Sequence, residues 1–295
     1  MKRLLTALPF LLLLVTSCQK EISFDSPADP NGGSGGGTSG DLLVKVVAVT
    51  GSETLTTLYT YDSQKRLETE TMDGSTGGLT MHNYRKFIRD ASGRVSRILQ
   101  KLDQNGIASD TSVNNIHYPN ATTMEYDYSL TTISLGGFSA IDSSVYSFSG
   151  GKLLNTVSYL STPLLGLPPI VSTKYEFTYD ASGRVSILKI YATLSPTGIG
   201  SLTPIVNETF TYGSSVNYLW STNNGAQNYW LTGMPNAVNN AVTKLQIDDL
   251  TDPSNSTTIN STYVLGAGGK PTSAKVTVTN ASGPGQVTNY TFFYQ

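Results

Sequence analysis

The densest concentration of chemically useful side chains is Asn217-Tyr218-Leu219-Trp220-Ser221-Thr222-Asn223-Asn224-Gly225-Ala226-Gln227-Asn228-Tyr229-Trp230, which holds both tryptophans of the chain. Its two arms, Asn-Tyr-Leu-Trp and Asn-Tyr-Trp, flank an Asn-Gly turn. Aromatic faces beside amides suit sugar rings, whose C–H faces stack while their hydroxyls take hydrogen bonds. Tyr218, Trp220, Asn224, Tyr229 and Trp230 are therefore the candidate ligand-binding residues, with glycan as the candidate ligand. The simpler reading is that both indoles plug the core beneath a long loop.

Other groups promise less. Asp103-Gln104-Asn105-Gly106 opens like a calcium loop, but Val113 and Asn114 stand where the closing Glu is needed, so a polar hairpin turn is expected. Asp248-Asp249-Leu250-Thr251-Asp252, followed by Pro253, reads more simply as a solvated turn than as a cation site. His82 and His117 have no supporting pattern and are expected as surface or pairing residues. There is no Gly-x-Ser-x-Gly elbow and no His-Glu-x-x-His, and no local motif points to a glycosidase carboxylate pair. No catalytic residue, metal ligand or cofactor is expected. Two His and one Cys are too few for a zinc site of the usual kind, and one Cys forbids an intramolecular disulfide. A formal net charge of -2 gives no basic field for nucleic acid.

The elements that must position these groups are strands. Lys174-Tyr175-Glu176-Phe177-Thr178-Tyr179, Glu208-Thr209-Phe210-Thr211-Tyr212, Ala274-Lys275-Val276-Thr277-Val278-Thr279 and Tyr290-Thr291-Phe292 alternate polar with aromatic or β-branched residues. Such alternation describes a strand with one face buried and one wetted. No apolar spacing of three and four persists beyond the N-terminus, so helix should be scarce.

A turn recurs between the alternating runs: Tyr61-Asp62-Ser63-Gln64-Lys65-Arg66-Leu67, Arg89-Asp90-Ala91-Ser92-Gly93-Arg94-Val95 and Tyr179-Asp180-Ala181-Ser182-Gly183-Arg184-Val185. Weaker copies lie at Ser149-Gly150-Gly151-Lys152-Leu153 and from Gly266 to Lys270. Asp caps the turn, Gly supplies positive φ, and the basic residue is expected to restart the strand pointing outward. Basic turn residues at 65, 94, 152, 184 and 270 are 29, 58, 32 and 86 residues apart, which is one, two, one and three units of about 29. Eight such units fit between 42 and 295, implying about sixteen strands in one antiparallel meander.

These turns resemble the tyrosine and aspartate repeats of the YD or RHS type. They are closer still to hairpins of uncharacterised Bacteroidota lipoproteins, including a family of unknown function described as porin-like in fold. The resemblance covers most of residues 55–295 and implies hairpin geometry, with no activity to carry over.

Sixteen strands at 4.8 Å would form a sheet ~75 Å wide, and open sheets rarely exceed about ten strands without curling, closing or splitting. The expected fold is all-β, curled into a barrel-like or two-layer sheet, with a lumen too wide for side chains to fill. Tyrosine would line it, rings on neighbours and hydroxyls in water. A membrane-spanning barrel is the less favoured alternative. Its aromatic C-terminal strand speaks for it, and the Lys and Glu on one strand face speak against it.

Lys2 and Arg3 precede an apolar stretch from Leu4 to Val15, whose twelve residues reach about 18 Å against a ~30 Å hydrocarbon core, too short to span it. It reads as a signal peptide over 1–17. Val15-Thr16-Ser17-Cys18 resembles the lipobox of bacterial lipoproteins, which implies diacylated Cys18 as the first mature residue. Gln19 in place of Asp implies the outer membrane, with periplasmic and outward orientations both open. Residues 18–41 read as a lipidated, Gly- and Ser-rich tether, whose stretch of about 22 residues spans roughly 25 Å as a random coil. Residues 42–295 form the β domain. The expected protein is a lipid-anchored, non-enzymatic binding or scaffold module of the cell envelope. The alternative is a structural or assembly component meeting another envelope protein, and a glycan hydrolase comes last.

Overall fold

In the computed structural model, residues 42–108, 111–130, 140–149, 152–161, 169–193, 201–216, 240–280 and 283–295 are described. Lipidation residue Cys18 and the candidates Tyr218, Trp220, Asn224, Tyr229 and Trp230 lie outside them. The strands are β1 (Leu43–Thr50), β2 (Glu53–Tyr61), β3 (Leu67–Thr76), β4 (Leu79–Arg89), β5 (Val95–Gln104), β6 (Ile107–Ala108), β7 (Ser112–Asn120), β8 (Thr123–Leu130) and β9 (Ala140–Ser149). They continue as β10 (Lys152–Ser161), β11 (Ile170–Tyr179), β12 (Val185–Thr193), β13 (Leu202–Val216), β14 (Asn240–Asp249), β15 (Thr257–Leu265), β16 (Pro271–Asn280) and β17 (Gly283–Tyr294). Helix among the described residues is limited to two three-residue 3-10 turns, Pro253–Asn255 and Ala267–Gly269.

Strand β6 is a two-residue stub folded back on β5, and the other sixteen strands each pair antiparallel with the next. The ring closes where β1 meets β17, with Val46 opposite Phe292 and Ala48 opposite Tyr290. Of the two expected outcomes, the closed barrel is the observed one. Closure removes the two edges that an open meander would leave unpaired.

Alternation sorts the side chains cleanly over most of each strand. On β11, Phe177 is buried and Tyr175 and Tyr179 pack on the core. Lys174 and Glu176 pair with each other on the outer face. On β16, Ala274 and Val276 are buried. Outward positions carry Lys86, Arg97, Lys101, Lys189, Lys244 and Lys275. At a bilayer midplane each lysine or arginine on a barrel's outer face costs about 2–4 kcal/mol. Charged residues on the outer face therefore weigh against the spanning alternative.

One departure from strict alternation shapes the interior. At the barrel end carrying the repeated turns, register shifts separate Leu43 from Lys45, Thr60 from Tyr61, Ile88 from Arg89, Leu153 from Asn155 and Thr178 from Tyr179. Each bulge inserts one residue, so the buried positions after a turn fall at i and i+3 instead of i and i+2. Leu67 and Glu70, Val95 and Ile98, Leu153 and Thr156, and Val185 and Leu188 are such pairs, all under 9% exposed. The apolar members of these pairs join Phe87, Ile116, Met124, Phe148, Phe177, Phe210, Leu245, Ile259, Tyr290 and Phe292 in one packed hydrophobic layer. Full burial of a large apolar side chain contributes about 1.5–3 kcal/mol, so this layer is the main source of stability. The interior at this level is not the unfilled lumen expected, because the bulges bring two inward residues per repeat into one layer.

Candidate functional site

The repeated turns and the strand ends beside them form the best-defined constellation, and its chemistry is structural. In the first copy the Asp62 Oδ1 accepts from the backbone N–H of Gln64 and Arg66 at 2.9 Å, and its Oδ2 accepts from Arg66 Nε at 2.8 Å. Asp90 and Asp180 repeat this with Ser92 and Arg94, and with Ser182 and Arg184. Partial burial alone would raise the carboxyls of Asp62 and Asp180. The hydrogen bonds from Arg66 and Arg184 outweigh it and hold both below the ordinary value. Lys65 (φ 60°) occupies the left-handed position taken by Gly93 and Gly183.

Two corrections follow. The basic residue matching Arg94 is Arg66, four residues after its aspartate, and not Lys65. Nor does it point outward: the guanidiniums of Arg66, Arg94 and Arg184 fold back on their own turns, and those of Arg94 and Arg184 also lie over the tyrosine of the next hairpin. Arg94 lies 4.4 Å from the Tyr118 ring centre and Arg184 4.9 Å from that of Tyr212, while Lys152 and Lys270 cover Tyr179 and Tyr294 at 5.1 and 5.5 Å.

Six tyrosine hydroxyls at this rim bond to the protein and not, as expected, to water. Each donates to the carbonyl that opens the preceding strand of its two-strand unit: Tyr61 to Leu43 (2.6 Å), Tyr118 to Val95 (2.9 Å), Tyr179 to Leu153 (2.8 Å), Tyr212 to Val185 (2.7 Å), Tyr263 to Val242 (3.1 Å) and Tyr294 to Pro271 (2.9 Å). In the β3–β4 unit Arg89 takes the place of tyrosine, donating to Leu67 O and Gly93 O at 3.1 Å. In the β8–β9 unit Phe148 stands there, and its backbone N–H donates to Thr122 O at 2.8 Å. Seven of the eight units expected from spacing thus carry a side-chain latch on one rim, and the β8–β9 unit closes through its backbone. Burial pushes the hydroxyls of Tyr61, Tyr118, Tyr212 and Tyr294 above the ordinary tyrosine value. At Tyr61, Arg89 and Tyr179 the sequence signal is a Tyr or Arg immediately before the turn aspartate; Tyr118, Tyr212, Tyr263 and Tyr294 carry no such signal.

Beyond the packed layer the inner face becomes polar and more exposed. Along β5 the inward side chains run from Val95 (1% exposed) and Ile98 (2%) through half-buried Gln100 and Leu102 to exposed Gln104. The same gradient runs along β12, from buried Val185 and Leu188 to half-buried Ile190 and Ala192. Across β3, β4, β5 and β7 the register aligns Glu70, Arg85, Gln100 and Ser112 in one row. Glu70 and Arg85 form an ion pair. Below the row stands Asn114, fully buried, with neither its amide oxygen nor its nitrogen hydrogen-bonded; beside the row, the side-chain oxygen of Asn83 is also buried without a partner.

Glu208 is the other unexpected interior group. It shares its strand face with Phe210 and Tyr212, and lies between Leu188 of β12 and Ile247 of β14. It is fully buried, with neither carboxylate oxygen hydrogen-bonded. Burial pushes its carboxyl up to about 8, so at neutral pH it is mostly protonated.

The weaker sequence candidates resolve as turns and pairs. Asn105 (φ 53°) and Gly106 (φ 75°) form the two-residue hairpin between β5 and β6. Asp249 Oδ1 accepts from Thr251 N and Oγ1 and from Asp252 N, and Asp252 caps the Pro253–Asn255 turn. His82 pairs with Asp73 across β3 and β4 on the outer surface.

No protein-family model and no curated protein matches the chain. Among solved structures, a porin-like protein from Bacteroides uniformis aligns at 15% identity and a TM-score of 0.49, over 86% of this chain and 97% of that one. A porin-like protein from Bacteroides vulgatus aligns at 11% identity and a TM-score of 0.39, over 86% of this chain and 99% of that one.

Proposed function

We propose that this chain is a lipid-anchored, non-enzymatic binding module of the bacterial outer membrane, held off the bilayer by residues 18–41. The observation that carries the reading is the distribution of polarity. The barrel wears lysines and threonines outside, a packed layer inside, and a polar, half-exposed wall beyond that layer. A water-facing barrel of this kind needs a separate device to reach a membrane, and the lipobox-like Val15-Thr16-Ser17-Cys18 supplies one. The first strand, β1, begins at the rim of tyrosine latches, so the tether enters at that end and leaves the polar wall facing away from it. Labelled palmitate should enter the wild-type protein and not Cys18→Ala. Equal labelling of both would remove the anchor from the proposal.

A further inference from the structure

The rim carrying the repeated turns differs from the opposite end in charge and in exposed apolar surface. Four of the eight exposed large apolar side chains among the described residues, Leu58, Val264, Leu265 and Phe293, lie at this rim, 43–59% exposed. They cluster around the circumference as well, because their strands belong to the consecutive run β15, β16, β17, β1 and β2. At ~4.8 Å per strand the patch is roughly 19 Å wide. Lys45 of β1 stands opposite both Leu58 and Phe293, with its ammonium 5.2 Å from the Phe293 ring centre. Scattered apolar residues are ordinary on a surface, but a group of four beside one another calls for an occupant. Cations border the group. Lys65 and Arg66 follow β2 and Lys270 precedes β16, with Asp62 the only carboxylate in those two turns, and Glu68 just beyond lies 3.9 Å from Lys86. The opposite end instead carries Glu53, Asp103, Asp248, Asp249 and Asp252.

We propose that this patch docks on an anionic lipid headgroup layer, which gives the barrel two positions on its tether: held off the bilayer, and seated on it by the β15-to-β2 side of the rim. This rests on the lipid-anchored reading above. Apolar side chains among lysines are the makeup of an interfacial surface: the apolar groups enter the acyl boundary, and each lysine lays its stem along it with the ammonium at the phosphates. The chain's path places the patch within reach. Leu42 N–H donates to Gln295 O at 3.2 Å and Gln295 N–H to Leu42 O at 3.0 Å, so residues 18–41 join the barrel beside Phe293. A short flexible tether confines the rim at an effective concentration of about millimolar. An affinity too weak to retain the protein without its lipid therefore still populates the seated position. Positive charge around the patch selects anionic over neutral headgroups, and repulsion of the acidic end fixes which end is seated.

The test is fluorescence quenching on the mature, lipidated full chain, with Thr60→Cys carrying a bimane label beside Leu58 and Leu250→Cys carrying it at the opposite end. Each protein is reconstituted in vesicles of phosphatidylcholine and phosphatidylglycerol that contain a headgroup nitroxide lipid. The Thr60 label should be quenched more strongly than the Leu250 label. The excess should vanish in phosphatidylcholine alone and in 1 M sodium chloride, where charges are screened within about 3 Å. Lys65→Gln and Lys270→Gln should each lower the ratio of seated to free barrel about fivefold, and Leu58→Asn should lower it as well. Lys65 is exposed, so its variant serves where Lys270→Gln disturbs the Tyr294 contact. Equal quenching of the two labels overturns the proposal, as does quenching that neither salt nor either lysine variant changes. A Thr60 label shielded from iodide yet unquenched by the nitroxide makes the tether or a second copy the occupant, and overturns it too. Wild type should take up no bimane, because acylation blocks its only thiol. Uptake there removes the anchor and the docking with it, whereas absent quenching in a protein that takes no label removes the seated position alone.

Discussion

Ionising Glu208 should destabilise the barrel, and the size of the effect follows from its surroundings. An exposed glutamate titrates near 4.5, and burial in this protein pushes the Glu208 carboxyl up to about 8. A carboxyl raised in the folded state favours folding while protonated in both states. Its contribution is complete below about pH 4.5, shrinks as the unfolded chain ionises, and is gone once the pH passes about 8. A difference of about 3.5 units at 1.36 kcal/mol each amounts to about 5 kcal/mol lost between pH 4.5 and pH 8. Asp62, Asp180, Glu176 and Asp249, all held below the ordinary carboxylate value, act in the opposite sense and below pH 4, so the window from pH 5 to pH 9 isolates Glu208. The assay is urea unfolding of the wild type and Glu208→Gln at each pH unit across that window. The wild type should lose several kcal/mol as pH rises while Glu208→Gln stays nearly flat, and the two curves should diverge by up to ~1.4 kcal/mol per unit. Parallel curves, or a wild type that gains stability toward pH 9, would refute the assignment of an isolated buried carboxyl.

The rim allows two further tests. Tyr179→Phe removes the hydroxyl that satisfies the Leu153 carbonyl and should cost about 1 kcal/mol in urea unfolding with the Lys152 contact retained; no loss would mean that the carbonyl finds water instead. Lys65→Gly relieves a left-handed residue with a side chain, at the position where the sister turns carry glycine, and should raise stability by up to about 1 kcal/mol.

Much of the fold was legible because its information is local. Period-two alternation around Tyr175, Phe177 and Tyr179 identified strands and their buried face, and the Asp-Gly-Arg turns counted the units, so sixteen strands and eight hairpins follow from spacing alone. Sheet width then required curling or splitting, but only the pairing of Val46 with Phe292 and Ala48 with Tyr290 decides for a closed ring, and those partners lie more than 240 residues apart. The interior was less legible for a specific reason. A one-residue bulge after each turn flips the parity of everything beyond it, so Glu70 joins Leu67 inside where simple alternation would place it outside. Glu208 shares parity with Phe210 and Tyr212, yet its residue type points to the wetted face, because glutamate is so rarely buried without a partner. The tyrosine latches are not legible in the sequence, because a hydroxyl's partner is set by register between strands, which a linear repeat does not state. The candidates Tyr218, Trp220, Asn224, Tyr229 and Trp230 lie outside the described residues.

The account rests on a water-facing barrel that reaches the membrane only through its lipid, and fractionation of Cys18→Ala tests this most directly. Wild type should sediment with the outer membrane, and the variant should appear in the soluble fraction with an intact β-type circular dichroism spectrum and cooperative melting. A Cys18→Ala protein that stays in the membrane and resists extraction by carbonate and urea would show that the barrel itself is embedded, and would contradict the account.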